Sequence, residues 1–385
     1  MIYFDNAATS YPKPPEVFDV MTTFMKERGG NPGRSGHRMA TGAEATMEEG
    51  RNLFAKFFGL KEPKRVVYTL NCTDALNMAI KGVLREGDHA ISSMIEHNSI
   101  NRPLQKMNDD HVISLSRVGP DASGAWTVDE VLAALTPKTK LVALTHCSNV
   151  LGVICPIAEL GKVLREKRPD VYFLVDLAQT AGVIPLDLEA ACVDFAAVAG
   201  HKGTYGPTGT GALLIGARVK TDDFLAWREG GTGGDSSTPH QPKDLPYFLE
   251  GGTPNSMGIA GMMSGVRFIQ KQKPNAIIDH EQKLLKRIIE GLSEDKRFTL
   301  YGTKDASKKA GVLSLTIKDR DVAETASILD QAFEICVRPG LHCSPYAHKA
   351  IGTFPQGGAL RLSPGFFSTE DEVDQVVIAL KEIAG

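Results

Sequence analysis

Short apolar runs alternate with helical patterns over the first part of the chain. Seven runs rich in β-branched and apolar residues are VVYTL at 66–70, HAISS at 89–93, VISLS at 112–116, LVALTH at 141–146, YFLVD at 172–176, FAAVAG at 195–200 and GALLIG at 211–216. Strands that alternate with helices predict a mostly parallel sheet with helices on both faces. We therefore predict an α/β fold with a seven-stranded central sheet.

The pattern changes after a Gly/Pro-rich stretch at 229–256. An amphipathic segment at 275–293 is followed by the short apolar runs FTLYG, GVLSLTI, EICVR and ALRLS and by helical patterns at 321–332 and 369–384. A chain of 385 residues exceeds what a single hydrophobic core usually supports. We predict a large domain of residues 15–256 and a small α+β domain that combines residues 1–14 with 257–385.

Charge and composition restrict the partners. The formal net charge is -3 and there is no long basic run, which favours a small-molecule substrate over nucleic acid or a membrane surface. No apolar stretch reaches the roughly 20 residues that cross a bilayer, and residues 1–10 do not resemble a signal peptide. We expect a cytoplasmic protein.

The six cysteines form no C-x-x-C pair, so we predict neither a metal site nor a disulfide framework.

Polar residues follow several of the predicted strands, where ligands of open α/β sheets bind. They are Thr73, His97, Asn149, Asp176 and Lys202. Residues 71–77 open a predicted helix whose N–H groups and Thr73 hydroxyl can meet a phosphate, although an ordinary helix cap is the alternative. A carboxylate such as Asp176 can keep a pyridine nitrogen protonated, although a structural cap is at least as frequent there.

Lys202 is the central candidate. It follows the apolar run FAAVAG at 195–200 and His201, and it precedes the glycine-rich residues 206–211. Burial and neighbouring cations lower the pKa of a lysine and favour the neutral amine that forms a Schiff base. A solvated surface lysine is the alternative, which these flanks disfavour. The order of phosphate loop, Asp-x-x-Gln at 176–179 and His-Lys at 201–202 is more specific than any single motif.

With these motifs the chain resembles the cysteine desulfurase and selenocysteine lyase branch of the class V aminotransferases, from FDNAAT at 4–9 to the last helix. The resemblance implies the fold type I of transferases that depend on pyridoxal 5′-phosphate (PLP), with PLP as cofactor. It also implies that Lys202 binds PLP covalently and moves the substrate α-proton. Asp176 would pair with the ring nitrogen, and Gln179 would bond the ring phenolate oxygen.

The same resemblance implies roles for further residues. His97 would stack on the ring and take part in proton transfer, and Asn149 would lie near the substrate and the ring oxygen. The phosphate ligands would be Cys72 through its backbone, Thr73, His201 and, in the partner subunit's site, Thr232. This last contact implies a homodimer with its sites at the interface.

Two positions depart from the family pattern. Position 199, usually Ser or Thr and a phosphate ligand, is Ala, and the loss of one donor should weaken phosphate binding by about 1 kcal/mol if nothing compensates. Leu177 replaces a residue that is usually small. Arg34 lies in a family-like loop at 31–37, and we assign it no more than a supporting role.

The segment RPGLHCSP at 338–345 indicates the reaction type. Cys343 resembles the nucleophile of desulfurases with a short, ordered cysteine loop, and neighbouring His342 and Arg338 would lower the pKa of its thiol. A buried packing cysteine is the alternative. Arg361 resembles the arginine that binds the substrate α-carboxylate, for which a planar guanidinium is suited. Arg338 resembles a second arginine near the substrate.

The leading hypothesis is therefore an L-cysteine desulfurase that forms alanine and a persulfide on Cys343. L-selenocysteine is a second candidate substrate that the sequence does not separate from cysteine, and a sulfur-acceptor protein is a family-level expectation. Another class V reaction is the first alternative: transamination, epimerisation or C–C cleavage, none of which needs a thiol nucleophile. A non-catalytic PLP-binding scaffold is the second, but it predicts loss of Lys202, Asp176 or His97, which are all present.

Overall fold

A computed structural model describes residues 1–33, 36–232, 237 and 239–385. The strands are β1 (Ile2–Tyr3), β2 (Val66–Thr69), β3 (Asp88–Ser93), β4 (Ile113–Val118), β5 (Thr139–Thr145), β6 (Tyr172–Asp176), β7 (Phe195–Ala199), β8 (Gly211–Ile215), β9 (Phe298–Tyr301), β10 (Leu313–Ile317), β11 (Ile335–Cys336), β12 (Arg338–Gly340) and β13 (Ala359–Leu362). The α-helices are α1 (Pro15–Glu27), α2 (Arg38–Phe58), α3 (Cys72–Val83), α4 (Asn98–Asp109), α5 (Val128–Ala133), α6 (Ile157–Lys167), α7 (Ser256–Lys271), α8 (Ala276–Leu292), α9 (Val322–Phe333), α10 (Pro345–Ala350) and α11 (Glu370–Ala384).

The central sheet has seven strands in the order β2-β8-β7-β6-β5-β3-β4. All neighbours are parallel except β8, which is antiparallel to both β2 and β7. Strand β5 shows why its sequence is continuously apolar: Leu141 and Ala143 pack into one core, and Val142 and Leu144 pack into the core on the opposite face. The predicted mostly parallel seven-stranded sheet is confirmed, and each of the seven apolar runs forms one of its strands.

A second sheet of four antiparallel strands, β12-β13-β10-β9, lies in the C-terminal part of the chain. Its apolar residues share a core with α8, α9 and α11. The N-terminal segment joins this part, because β1 pairs in parallel with β11 and Asp5 forms a bridge with Ser363. The first residues of the chain therefore lie beside β13, which carries one of the candidate site residues.

Helix α7 follows the domain boundary that the sequence predicted at residue 256, but it packs against the large domain. Its apolar residues Ile259, Met262 and Val266 belong to a core of the central sheet. The approach is close at Gly265, where a Cβ atom would lie 2.0 Å from the Thr204 carbonyl oxygen. The sequence prediction assigned this helix to the small domain, whereas the structure packs it against the large sheet. Among the described residues, no helix is both long and apolar enough to cross a membrane.

Candidate active site

A cavity of about 210 Å³ lies at the carboxyl ends of the central strands. Ten of the twelve predicted site residues line it: Cys72, Thr73, His97, Asn149, Asp176, Gln179, His201, Lys202, Arg338 and Arg361. The other two, Thr232 and Cys343, are not among its lining residues. The ends of β6 and β7 supply Asp176 and the turn that carries Lys202, as expected for this rim of an open α/β sheet.

Lys202 lies in a turn that directly follows β7. Hydrogen bonds from Tyr205 N–H (2.8 Å) and from the Ser10 hydroxyl (3.0 Å) to the Lys202 carbonyl hold this turn. Burial lowers the pKa of the Lys202 amine, against the opposing effect of Asp176. The shift is towards the neutral amine, which is the form that adds to a carbonyl group.

Asp176 is the last residue of β6 and is buried. Its Oδ1 accepts hydrogen bonds from Ala178 N–H (2.8 Å) and from the Cys72 thiol (3.4 Å). Burial raises the pKa of Asp176, and burial followed by the Asp176 charge raises that of the Cys72 thiol, which therefore stays a donor. The sequence analysis considered only the backbone of Cys72, and its contact with Asp176 is an additional role.

The start of α3 forms one end of the cavity. Asn71 caps the helix by accepting Asp74 N–H (2.9 Å), so the Thr73 hydroxyl remains available and lies 2.7 Å from the Ser99 hydroxyl. Ser99 also lines the cavity and thus brings a hydroxyl to the site, where Ala199 has none. Sequence reasoning missed Ser99, although its position at the start of a predicted helix after a strand was a usable signal.

His201 lines the same cavity. Within the described residues its Nδ1 atom is buried without a hydrogen-bond partner. Burial lowers the pKa of the imidazole to about 4. Buried polar atoms are rarely left unpaired in native proteins, so this nitrogen indicates a place for a polar ligand group.

His97 caps α4 with its side chain. Its Nδ1 accepts Ser99 N–H at 3.1 Å and lies 2.8 Å from the Ser99 hydroxyl. Because a backbone N–H can only donate, Nδ1 carries no proton and the neutral ring is protonated at Nε2. Burial, followed by the Lys202 charge, lowers the pKa of His97 to about 4. A neutral ring is available for stacking and proton transfer.

Asn149 holds the loop that carries Cys343. Its Nδ2 donates to the His342 carbonyl at 2.7 Å, and its Oδ1 accepts the Ser344 hydroxyl at 2.7 Å. The sequence suggested only a cofactor or substrate contact for Asn149.

The Gln179 side chain donates to the Ala7 carbonyl at 3.1 Å, so it connects the cavity to the N-terminal segment.

Arg361 lies on β13 and is 1% exposed. Its Nη2 forms an ion pair with Asp5 Oδ1 (2.7 Å), and Nη1 donates to the Asn149 carbonyl (3.2 Å). Among the described residues, Nε is buried without a partner. Burial lowers the pKa of Arg361, and Asp5 opposes that shift. Asp5 was not predicted, although a buried arginine requires a charged partner.

Cys343 lies beside the cavity. Of the six cysteines, all within the described residues, it alone is exposed, which rules out the alternative of a buried packing cysteine. Arg338 Nη2 lies 3.6 Å from its sulfur, and the Cys343 carbonyl accepts Asn98 N–H at 2.7 Å. The backbone of Cys343 is thus hydrogen-bonded to the residue that follows His97.

His342 does not add positive charge to this loop. Its Nε2 lies 3.0 Å from the Arg338 carbonyl and its Nδ1 lies 3.2 Å from His348 Nε2. Burial, followed by the Arg361 charge, lowers the pKa of His342 to about 3. His342 therefore does not contribute to the positive surroundings that the sequence suggested for the thiol, and Arg338 is the cation there.

Thr232 is half-buried and lines a separate depression with Arg51 and Glu250. The structure does not bring it together with the other predicted phosphate ligands of this chain. Arg34 lies outside the described residues.

Known proteins are similar to this chain over practically its whole length. The model of the family "Aminotransferase class-V" matches residues 2–376. A probable cysteine desulfurase of Methanothermobacter thermautotrophicus is 32% identical over 100% of this chain and 95% of its own length. One of Pyrococcus abyssi is also 32% identical, over 100% of this chain and 94% of its own. The apo structure of a cysteine desulfurase from Thermococcus onnurineus NA1 superposes with a TM-score of 0.92 at 32% identity, covering 100% of this chain and 94% of the other.

Proposed function

The chain belongs to the class-V aminotransferase family, and on that premise we propose that it is a PLP-dependent cysteine desulfurase. The reaction converts L-cysteine to L-alanine and leaves the sulfur as a persulfide on Cys343. The observation that carries the proposal is an exposed thiol next to a cavity that contains a half-buried lysine and a buried carboxylate. Transamination, epimerisation and C–C cleavage need no such thiol.

The residues of the cavity fit PLP. The amine of Lys202 is suited to covalent attachment, and Asp176 has only Oδ1 bonded by the described residues, so Oδ2 can accept the ring N–H. The N–H groups at the start of α3 and the hydroxyl of Thr73 are phosphate donors, whereas the Ser99 hydroxyl donates to His97 Nδ1. The unpaired Nδ1 of His201 is a further polar group for the phosphate.

Three residues would act on the substrate. Bound PLP withdraws electrons from the substrate α-carbon. Lys202 Nζ moves the α-proton, and the neutral ring of His97 faces the same cavity. Arg361 binds the α-carboxylate through N–H groups that Asp5 and the Asn149 carbonyl leave free, including Nε.

Sulfur transfer would take place at Cys343. Its thiolate attacks the substrate sulfur, so that an S–S bond forms while the C–S bond breaks. The β-carbon receives a proton and leaves as part of alanine, so the step needs no external oxidant or reductant. Arg338 Nη2 donates to the sulfur at 3.6 Å and places a positive charge beside it. Because Cys343 is exposed, an acceptor protein or an added thiol can remove the terminal sulfur.

The test is a matched pair of cysteine variants. We expect Cys343→Ala to lose sulfide release from L-cysteine in the presence of a thiol reductant, while the absorption of bound PLP stays that of the parent. Cys336→Ala is the control, because Cys336 is only half-buried and lies outside the cavity. Sulfide release at the parent rate by Cys343→Ala would exclude the persulfide mechanism. A parent that releases neither sulfide nor alanine would favour a different class V reaction or a scaffold.

L-selenocysteine belongs to the same proposal as a second substrate. It differs from cysteine by one atom, and the carboxylate contact of Arg361 is independent of that atom. Rates for cysteine and selenocysteine measured side by side decide which is preferred.

A homodimer is proposed as the active form. Thr232 lies outside the cavity of its own chain, so a role as a phosphate ligand requires the site of a partner subunit.

A further inference from the structure

A buried chain of hydrogen bonds leads away from the cysteine loop. The Arg338 carbonyl lies 3.0 Å from His342 Nε2, His342 Nδ1 lies 3.2 Å from His348 Nε2, and His348 Nδ1 lies 2.7 Å from the Thr353 hydroxyl. The three side chains are 3%, 0% and 1% exposed, respectively. The proposed reaction gives His348 and Thr353 no role.

Chemistry fixes the direction of every bond in this chain. A carbonyl only accepts, so His342 Nε2 carries the proton. Burial keeps both rings neutral, because it lowers the pKa of His342 to about 3 and that of His348 to about 4. His342 Nδ1 therefore accepts from His348 Nε2–H, and His348 Nδ1 accepts from the Thr353 hydroxyl. One tautomer of each ring satisfies the whole chain.

The chain supports a loop that is unfavourable by itself. His342 and Cys343 have φ angles of 51° and 58°, and residues with a side chain rarely adopt two successive left-handed conformations. The His342 ring bonds back to the Arg338 carbonyl, four residues earlier, and so closes the loop. Asn149 holds the same loop from the cavity side through the His342 carbonyl.

We propose that His348 and Thr353 are positioning residues for Cys343. They keep His342 in the tautomer that bonds to the Arg338 carbonyl, and thereby hold the thiol and the Arg338 guanidinium in one arrangement beside the cavity. This inference rests on the proposed function, because it takes Cys343 as the sulfur nucleophile. His342 itself is not the base for the thiol, since both of its nitrogens are bonded elsewhere.

A matched pair of variants at position 348 tests the bond directly. His348→Gln keeps an N–H donor for His342 Nδ1, whereas His348→Met has a similar shape and no donor. We expect the Met variant to lower kcat for cysteine by about tenfold and to change KM by less than about twofold, the effect of a lost positioning bond. The Gln variant should recover most of the rate. Absorption of bound PLP should be the same in all three proteins.

Alkylation of Cys343 gives a readout that needs no turnover. The holoenzyme is treated with iodoacetamide without substrate, and modification of the Cys343 peptide is followed by mass spectrometry. The rate should differ from the parent by about threefold or more in His348→Met, for the same lost bond, and return in His348→Gln. A parent without sulfide release would refute the proposed function, while this comparison would still decide the positioning role.

Position 353 provides an independent pair if the His348 variants do not fold. Thr353→Val removes the hydroxyl, and Thr353→Ser keeps it, so only the first should change alkylation and kcat. Equal rates in the parent, His348→Met and Thr353→Val would overturn the inference. Equal losses in His348→Met and His348→Gln, or in Thr353→Val and Thr353→Ser, would also overturn it, because packing alone would then explain them.

Discussion

The pKa of Glu281 on α8, a residue close to Lys202, offers a quantitative test of the structure. The two residues line a small cavity of about 40 Å³. Glu281 is buried, and its Oε2 accepts Gly311 N–H at 3.0 Å. Burial raises the pKa of this carboxyl from 4.5 to about 8. Glu281 is thus a neutral acid in the folded protein at neutral pH.

The raised pKa determines how stability depends on pH. Between pH 4.5 and about 8 the folded protein retains a proton at Glu281 that the unfolded chain releases. The contribution of this group to the free energy of unfolding therefore falls as pH rises, by about 1.4 kcal/mol per pH unit. From about pH 6 to about pH 7.5 the loss amounts to about 2 kcal/mol. Glu281→Gln keeps an oxygen for Gly311 N–H and removes the titration.

The measurement is urea unfolding of the parent and of Glu281→Gln across this pH range. Other buried groups titrate in both proteins, so the difference between their free energies of unfolding isolates Glu281. We expect this difference to move by about 2 kcal/mol in favour of the variant between about pH 6 and about pH 7.5. Glu290→Gln, at an exposed position of the same helix, should show no such trend.

Two outcomes would refute the reasoning. A difference that stays constant over this range would mean that Glu281 does not titrate there. A difference that moves in favour of the parent would mean that the carboxylate is charged and stabilised in the folded state.

Two further predictions concern the ligands of the site. Arg361→Lys keeps a charge but cannot contact Asp5 and a substrate carboxylate together, so KM for cysteine should rise by about tenfold or more with a smaller change in kcat, measured by steady-state kinetics. An unchanged KM would contradict the proposed role of Arg361 in substrate binding. Thr232→Ala should weaken PLP binding by about fivefold, which is the effect of one lost hydrogen bond. A spectroscopic titration measures this change, and light scattering on the same protein should show a dimer. A monomeric parent would contradict the homodimer.

The sheet was predictable because burial on both faces makes each strand a continuous apolar run. In β5 the successive residues Leu141 and Val142 enter opposite cores, so the sequence has no polar position to obscure the pattern. The same regularity located Asp176 and the turn of Lys202, because parallel strands end at one rim. The packing of helix α7 against the large sheet was not predictable in this way, since a Gly/Pro-rich stretch before a helix resembles a linker whatever core the helix then joins.

The parts of the site that the sequence did not predict are contacts between residues far apart in the chain. Asp5 and Arg361 are separated by 356 positions, and periodicity contains no information about which strand end meets which loop. The Cys72 thiol and the Ser99 hydroxyl were overlooked for the same reason. Each acts through a partner, Asp176 or Thr73, that another strand or helix supplies.

The neutral His342 changes the electrostatic account of the nucleophile. Adjacency in sequence suggested that the imidazole contributes to positive surroundings of Cys343, but burial, followed by the Arg361 charge, keeps that ring uncharged. The positive charge comes instead from the Arg338 guanidinium. The Arg338 carbonyl is hydrogen-bonded to His342 Nε2, and this bond holds Arg338 in the same loop. A guanidinium keeps its charge at every pH of an ordinary assay, whereas an exposed imidazole loses its charge near about pH 6.5. Attraction of a thiolate or persulfide at Cys343 therefore persists above the pH at which a histidine would stop providing it.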